Sequence, residues 1–207
     1  MAALMPQSIG IFTAILKRSG FTTLDLFDCT FYKDIDKLNT GRNTHEEWVN
    51  NKQSRAHSVD EWDKKAGKTK LGIREDFVKK VQTFKPDLII CSSLESTYLL
   101  AMELLSSVPE KDKKYKTLIG GVFPTYAADI CIKNDNIDYV CRGEGEDAIV
   151  DICNRLVSGQ RIDDTLNFYI KGNGQIYKNK MRNAVNINEI PIPDWDLFDP
   201  GSLYRPM

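Results

Sequence analysis

Two glycine-rich turns constrain this fold more than any other feature of the chain. Gly120-Gly121-Val122-Phe123-Pro124-Thr125 and Arg142-Gly143-Glu144-Gly145-Glu146 each follow a short apolar run and open a helical pattern. A strand that stops at glycine and leads directly into a helix is the junction of a βα unit. Two such junctions in consecutive units place bare backbone and polar side chains at one edge of a parallel sheet. Open α/β sheets bind their ligands there, outside the carboxyl ends of the strands.

The rest of the chain keeps the same rhythm. Ser8 to Ser19 reads as a helix, with Ser8 as a cap, apolar residues at Ile9, Phe12, Ile15 and Leu16, and Gly20 as a stop. Phe21 to Phe27 reads as a strand. A polar stretch from Lys33 to Lys70 carries both histidines, His45 and His57. Helices are expected over 73–84, 96–105, 125–133 and 144–157, and strands over 87–91, 115–119 and 138–141. The alternation predicts a parallel sheet with right-handed crossovers. After Gly159 the pattern changes. Thr165 to Ile170 and Gln175 to Lys178 flank Asn173-Gly174, a hairpin signal, and this hairpin is expected to pack beside the sheet domain. Ile190-Pro191-Ile192-Pro193-Asp194-Trp195-Asp196 then reads as an extended linker. The expected division is an α/β domain over residues 1–158 and a hairpin with linker over 159–207.

A doubly wound fold normally opens with a strand that ends up central in the sheet. This chain reaches a helix by about residue 8. The expectation is a flavodoxin-like (Rossmann-like) parallel sheet without its first strand, in a fragment that continues beyond both ends of the sequence.

Composition excludes several classes. A net charge of -1 supplies no field for nucleic acid or an acidic membrane, and no apolar run is long enough to span a bilayer. The segment from Lys33 to Lys85 is only mildly basic, with thirteen Lys and Arg against nine Asp and Glu. The N-terminus lacks a signal-peptide pattern. The five cysteines, Cys29, Cys91, Cys131, Cys141 and Cys153, form no CxxC cluster. They read as small buried hydrophobes of a reducing cytoplasm, and no metal site is expected from them.

The candidate site lies at the strand ends. Gly120 and Gly121 let a bulky ligand approach the backbone. Pro124 and Thr125 start the next helix, where the Thr125 hydroxyl can cap or contact a ligand. Glu144, Glu146 and Asp147 crowd the start of a helix and would repel a phosphate, so this turn is no P-loop, and no GxGxxG is present. Carboxylates suit a ligand rich in amide or hydroxyl donors, or they only complement the helix dipole while Arg142 forms an ion pair. Ser92 and Ser93 bring further hydroxyls to the same edge. The candidate lining is Ser92, Ser93, Gly120, Gly121, Phe123, Pro124, Thr125, Gly143, Glu144 and Gly145.

In order and spacing, GGVFPT, DYVCRGEGE, the NG hairpin and IPIPDWDLF resemble the N-terminal cobalamin-binding domain of cobalamin-dependent radical S-adenosylmethionine enzymes, over about residues 8 to 198. The resemblance implies cobalamin (vitamin B12) as cofactor. It also implies a radical domain outside this chain, where the iron–sulfur cluster and S-adenosylmethionine would bind, since CxxxCxxC is absent here. The DxHxxG motif is absent too, which implies a cobalt with no histidine from that motif beneath it and a displaced nucleotide tail. Family members often carry histidine where Phe123 stands, so apolar contact is implied there. By the resemblance, Ser93, Thr125 and Glu144 would bond the cofactor's amides or tail. The implied function is to position cobalamin for methyl transfer or a radical reaction on an unknown substrate, with this chain alone not catalytic and no nucleic acid or membrane as partner. Two alternatives stay open: a stand-alone cobalamin carrier or sensor, and a cofactor-free flavodoxin-like interaction domain.

Overall fold

Parallel pairing of three short strands positions the two glycine turns side by side. The computed structural model describes residues 7–29, 32 and 71–199. The polar stretch with His45 and His57 lies outside the described residues. In chain order the elements are α1 (Gln7–Arg18), α2 (Ile73–Phe84), β1 (Leu88–Ser92), α3 (Glu95–Ser107), β2 (Lys116–Gly120), α4 (Val122–Tyr126), α5 (Ala128–Cys131), β3 (Tyr139–Cys141), α6 (Glu146–Ser158), β4 (Phe168–Gly172) and β5 (Gln175–Lys178).

The chain divides into two compact units. The first takes, of the described residues, 7–26, 86–95 and 115–199. It holds a mixed sheet of order β1-β2-β3-β4-β5, parallel from β1 to β3 and antiparallel from β3 to β5. The helix α6 covers one face. Its Ala148 and Ile152 pack with Leu118, Tyr139, Cys141, Phe168 and Ile170 in one buried cluster. The helix α1 lies against α6 through Ile15, Leu16 and Ile149. Glu146 and Asp147 in the first turn of α6 and Arg155 in its last complement the helix dipole. Gly159, at φ 66°, ends the helix in the left-handed conformation that glycine adopts freely.

The second unit takes, of the described residues, 27–29, 32, 71–85 and 96–114. Ile73, Phe77 and Val81 recur at four-residue spacing on α2 and are buried. Phe27 meets Phe77 edge-on at 5.1 Å, Tyr32 donates to Asp76 at 2.8 Å, and Arg74 of α2 pairs with Glu103 of α3.

Three expectations need correcting. Phe21 to Phe27 is not a strand: the segment is irregular. Phe21 and Leu24 still pack against the α1–α6 cluster, but no neighbouring strand offers them a ladder, and the Leu26 amide donates to the Asp25 carboxylate at 2.8 Å instead. Strand propensity without a partner makes no strand. The hairpin does not pack beside the sheet. It extends it, with Tyr139 opposite Ile170 and Cys141 opposite Phe168. Phe168 and Ile170 are fully buried, because β3 leaves an edge that needs both backbone partners and apolar cover.

The proline-punctuated stretch is also not a free linker. It is strapped along α1. The Asp194 amide donates to the Gly10 carbonyl at 2.9 Å, and Lys17 bonds Asp194 at 2.7 Å and Asp196 at 3.0 Å. A Cβ at Gly10 would stand 2.9 Å from the Pro193 Cβ and 3.0 Å from the Trp195 ring. Glycine inside α1 is therefore a packing requirement.

The hairpin's place in the core has a measurable consequence. Phe168→Ala is expected to cost about 3–5 kcal/mol in denaturant unfolding. Ile176→Ala, at an exposed hairpin position, is expected to cost under about 1 kcal/mol. Equal costs would put the hairpin outside the core.

Candidate functional site

The ladder between β1 and β2 runs to the end of both strands. Ser92 lies opposite Gly120, and the Ser93 amide donates to the Gly120 carbonyl at 2.8 Å. The loop after β1 thus lies directly against the glycine pair. Gly121 has φ 109°, and a Cβ there would stand 2.6 Å from the Ser93 carbonyl oxygen. The space a side chain would need is filled by the next loop, so a bulky residue at Gly121 disrupts the turn before it reaches any ligand. Gly120 differs: a Cβ there would meet Cys141 at an ordinary 3.5 Å.

Thr125 ties the two glycine turns together. Its hydroxyl donates to the Gly121 carbonyl at 2.8 Å and accepts from the Gly143 amide at 3.0 Å. The helix α4 starts at Val122, earlier than the pattern suggests. Pro124 sits in its first turn, where a missing N–H costs nothing, and it is fully buried. The helix breaks at Ala127, and α5 follows as a separate short helix.

Behind the second turn stands Asn167, a residue the sequence pattern does not single out. It is buried and has φ 73°. All four of its polar groups are used. Its carbonyl accepts from the Arg142 amide at 2.9 Å, and its amide donates to the Lys180 carbonyl at 2.8 Å. Its side chain donates to the Glu144 carbonyl at 2.7 Å and accepts from the Arg182 amide at 2.5 Å. Asparagine is among the few residues that tolerate positive φ, but nothing local in the sequence marks it.

The predicted site residues separate into two groups. Ser92, Ser93, Gly120, Gly121, Thr125 and Gly143 meet at the strand ends, and half-buried Phe123 lies in α4 beside them. Ser93 is buried, with its hydroxyl donating to the Leu94 carbonyl at 2.9 Å. Pro124 is core. The Glu144 carboxylate accepts from the Val185 amide at 2.6 Å, which fastens the turn to the segment after β5. Gly145 is needed for packing, because a Cβ there would stand 2.9 Å from the Phe12 ring of α1. Ser93, Thr125 and Glu144 thus already have partners within the chain, so their first task is to hold the turns.

The thiols near this edge are inert. Burial pushes Cys91 and Cys141 up to about 12 and Cys153 up to about 11. At Cys141 the Glu146 charge adds to this and Arg182 opposes it. Neutral thiols at physiological pH offer neither nucleophile nor metal ligand. Among the described residues no group of three or more His, Cys, Asp and Glu could hold a metal ion. Glu146 Oε2 and Arg182 Nε are buried with no hydrogen-bond partner among the described residues.

Residues 53–153, just under half of the chain, match the model of the B12 binding domain family. That region is similar to B12-binding domains. That match takes in β1, β2 and β3 and both glycine turns. Over 125 residues the chain is 27% identical to an uncharacterized methyltransferase, PH0819, of Pyrococcus horikoshii, covering 59% of this chain and 27% of that protein. Over 142 residues it is 25% identical to the anaerobic magnesium-protoporphyrin IX monomethyl ester cyclase of Rubrivivax gelatinosus, covering 65% and 26%. The chain therefore spans about a quarter of the length of these relatives. Among solved structures it is similar to the cobalamin-dependent S-adenosylmethionine radical enzyme OxsB with aqua-cobalamin and S-adenosylmethionine bound. There the TM-score is 0.53 at 22% identity, covering 63% of this chain and 18% of that one. The OxsB form with aqua-cobalamin alone gives 0.54. The sheet unit thus has the flavodoxin-like fold, with the hairpin added as antiparallel strands.

Thr125 offers the cleanest test of how the sheet unit holds its turns. Thr125→Val keeps the shape and removes the bridge between Gly121 and Gly143. It is expected to cost about 1–2 kcal/mol in denaturant melts, and Thr125→Ser, which keeps the hydroxyl, less than half of that. A loss confined to Thr125→Ser would mean that methyl packing, and not the bridge, matters at this position.

Proposed function

We propose that this chain holds cobalamin at the carboxyl ends of β1, β2 and β3 and presents it to a radical S-adenosylmethionine domain that binds the substrate. The observation that carries this reading is the coincidence of the B12 binding domain match with both glycine turns at one sheet edge. The residues there fit the group. Cobalamin is a broad, flat ring fringed with amides, and the edge offers the exposed Ser92 hydroxyl, the Gly120 backbone and the half-buried Phe123 face. When bound, the cofactor supplies methyl transfer or assists a radical reaction, and the protein supplies position. Gly120 lets the ring approach the backbone. Ser93, Thr125, Gly121, Gly143, Glu144 and Gly145 fix the turns. Pro124 anchors α4 beneath Phe123.

The radical domain lies outside this chain in this reading, and residues 159–207 carry the hairpin and then lead toward it. OxsB, which binds both cobalamin and S-adenosylmethionine and of which this chain covers 18%, supports such a two-domain arrangement. The free cysteines support a reducing cytoplasm. No described helix is long and apolar enough to cross a membrane, and the reading needs neither nucleic acid nor membrane as partner.

Purified chain mixed with aqua-cobalamin in several-fold excess is expected to retain the cofactor through gel filtration and to alter its visible spectrum. Complete separation of corrinoid from folded protein, with no spectral change, would contradict the reading.

A further inference from the structure

Among the described arginines, Arg142 alone has a guanidinium that bonds no protein acceptor. Arg74, Arg155, Arg161 and Arg182 each pair with a carboxylate, and Arg18 donates to the Glu189 carbonyl at 3.3 Å. The sequence offered an ion pair as the bland role for Arg142, and the structure shows none. The side chain is nevertheless held in place. Its guanidinium lies 4.9 Å over the Tyr169 ring, a cation–π contact that holds the group in place and leaves its N–H groups without a protein acceptor among the described residues. Its backbone amide is anchored by Asn167.

The surroundings make this an unspent positive charge. Strand residues alternate between faces. Cys141, Phe168 and Ile170 pack on the α6 side, so Tyr169, and Arg142 over its ring, stand on the other face. Lys178 also lies over that ring, at 5.4 Å, but it is neutralised by an ion pair with Asp129 of α5. The Asp129 carboxyl is held below its usual range by that hydrogen bond, with Lys178, Lys133 and Arg142 adding their charges. The acids of the RGEGE turn do not answer Arg142. Glu144 is turned to Val185, and Glu146 acts on the Cys141 side. The turn thus separates its charges: acids toward α6 and the 180–185 segment, one pre-oriented guanidinium toward the face of α5.

Cobalamin has a single anionic group in its organic frame, the phosphodiester that joins the corrin side arm to the nucleotide. We infer that Arg142, held over the Tyr169 ring beside Gly143, is the residue that receives this phosphodiester. Guanidinium and phosphate match as a bidentate, charge-assisted pair. The inference rests on the cobalamin reading and adds to it a subsite for the tail.

Cobinamide keeps the corrin ring and lacks the phosphodiester and nucleotide, so the two ligands separate the tail from the ring. The full 207-residue chain and its Arg142→Met variant are titrated with aqua-cobalamin and with diaquacobinamide by calorimetry, after thermal melts show both proteins folded. The variant is expected to lose about tenfold or more in cobalamin affinity, with cobinamide affinity changed less than about twofold. Added salt should shrink the difference for the parent and not for the variant. Arg142→Lys, which keeps the charge without the fork, should fall between. An equal loss for both ligands, or no loss for either, overturns the assignment while leaving cobalamin binding intact. Binding of neither corrinoid by the parent overturns the cobalamin reading and this assignment with it.

Discussion

The described site depends on Asn167. One buried side chain and its own peptide groups hold the Arg142 amide, the Glu144 carbonyl, the Lys180 carbonyl and the Arg182 amide. Buried backbone groups in a turn must find partners or lose stability. The RGEGE turn finds two of them on Asn167, the residue just before β4. At a positive φ, its carbonyl and side-chain amide bond the turn while its side-chain oxygen and backbone amide bond residues 180–182. Without this residue the turn after β3 would lose the partners of the Arg142 amide and the Glu144 carbonyl, and only Thr125 and Val185 would hydrogen-bond it.

This arrangement explains why the hairpin belongs to the sheet domain. Its first strand brings Asn167 and Tyr169 to the end of β3, one to hold the turn and the other to hold the Arg142 side chain. Its second strand leads into residues 180–185, which the Glu144 carboxylate fastens to the same turn. From there the chain runs to the strap on α1, where Asp194 and Asp196 meet Lys17. The turn proposed to hold the cofactor and the segment proposed to lead to the next domain are therefore one hydrogen-bonded assembly. A displacement of the segment would be felt at Gly143 through contacts already present.

Much of this was legible in the sequence, and the parts that were not have a common cause. The strands β1, β2 and β3 and the helix α6 lie within a residue or two of their expected positions, because glycine and proline stop them and apolar periodicity defines them. The two glycine turns do meet at one edge, as their spacing implied. Phe21 to Phe27 misled, since strand residues need a neighbouring strand and none stands beside them. Gly121 was read as room for a ligand, whereas the Ser93 backbone fills that room. Asn167, Gly145 and Gly10 carry roles that only tertiary contact defines: with the 180–182 segment, the Phe12 ring and Trp195 in turn. Local pattern shows where a chain turns, and it does not show what occupies the far side of the turn.

The central claim, that cobalamin sits on the two glycine turns that Thr125 joins, is tested most directly by amide hydrogen exchange. The chain is compared with and without saturating aqua-cobalamin. The account predicts slowed exchange in peptides covering residues 118–126 and 140–146, with peptides confined to α2 and to the strap after residue 190 unchanged. Saturation that leaves both turns exchanging as in the free chain would contradict it.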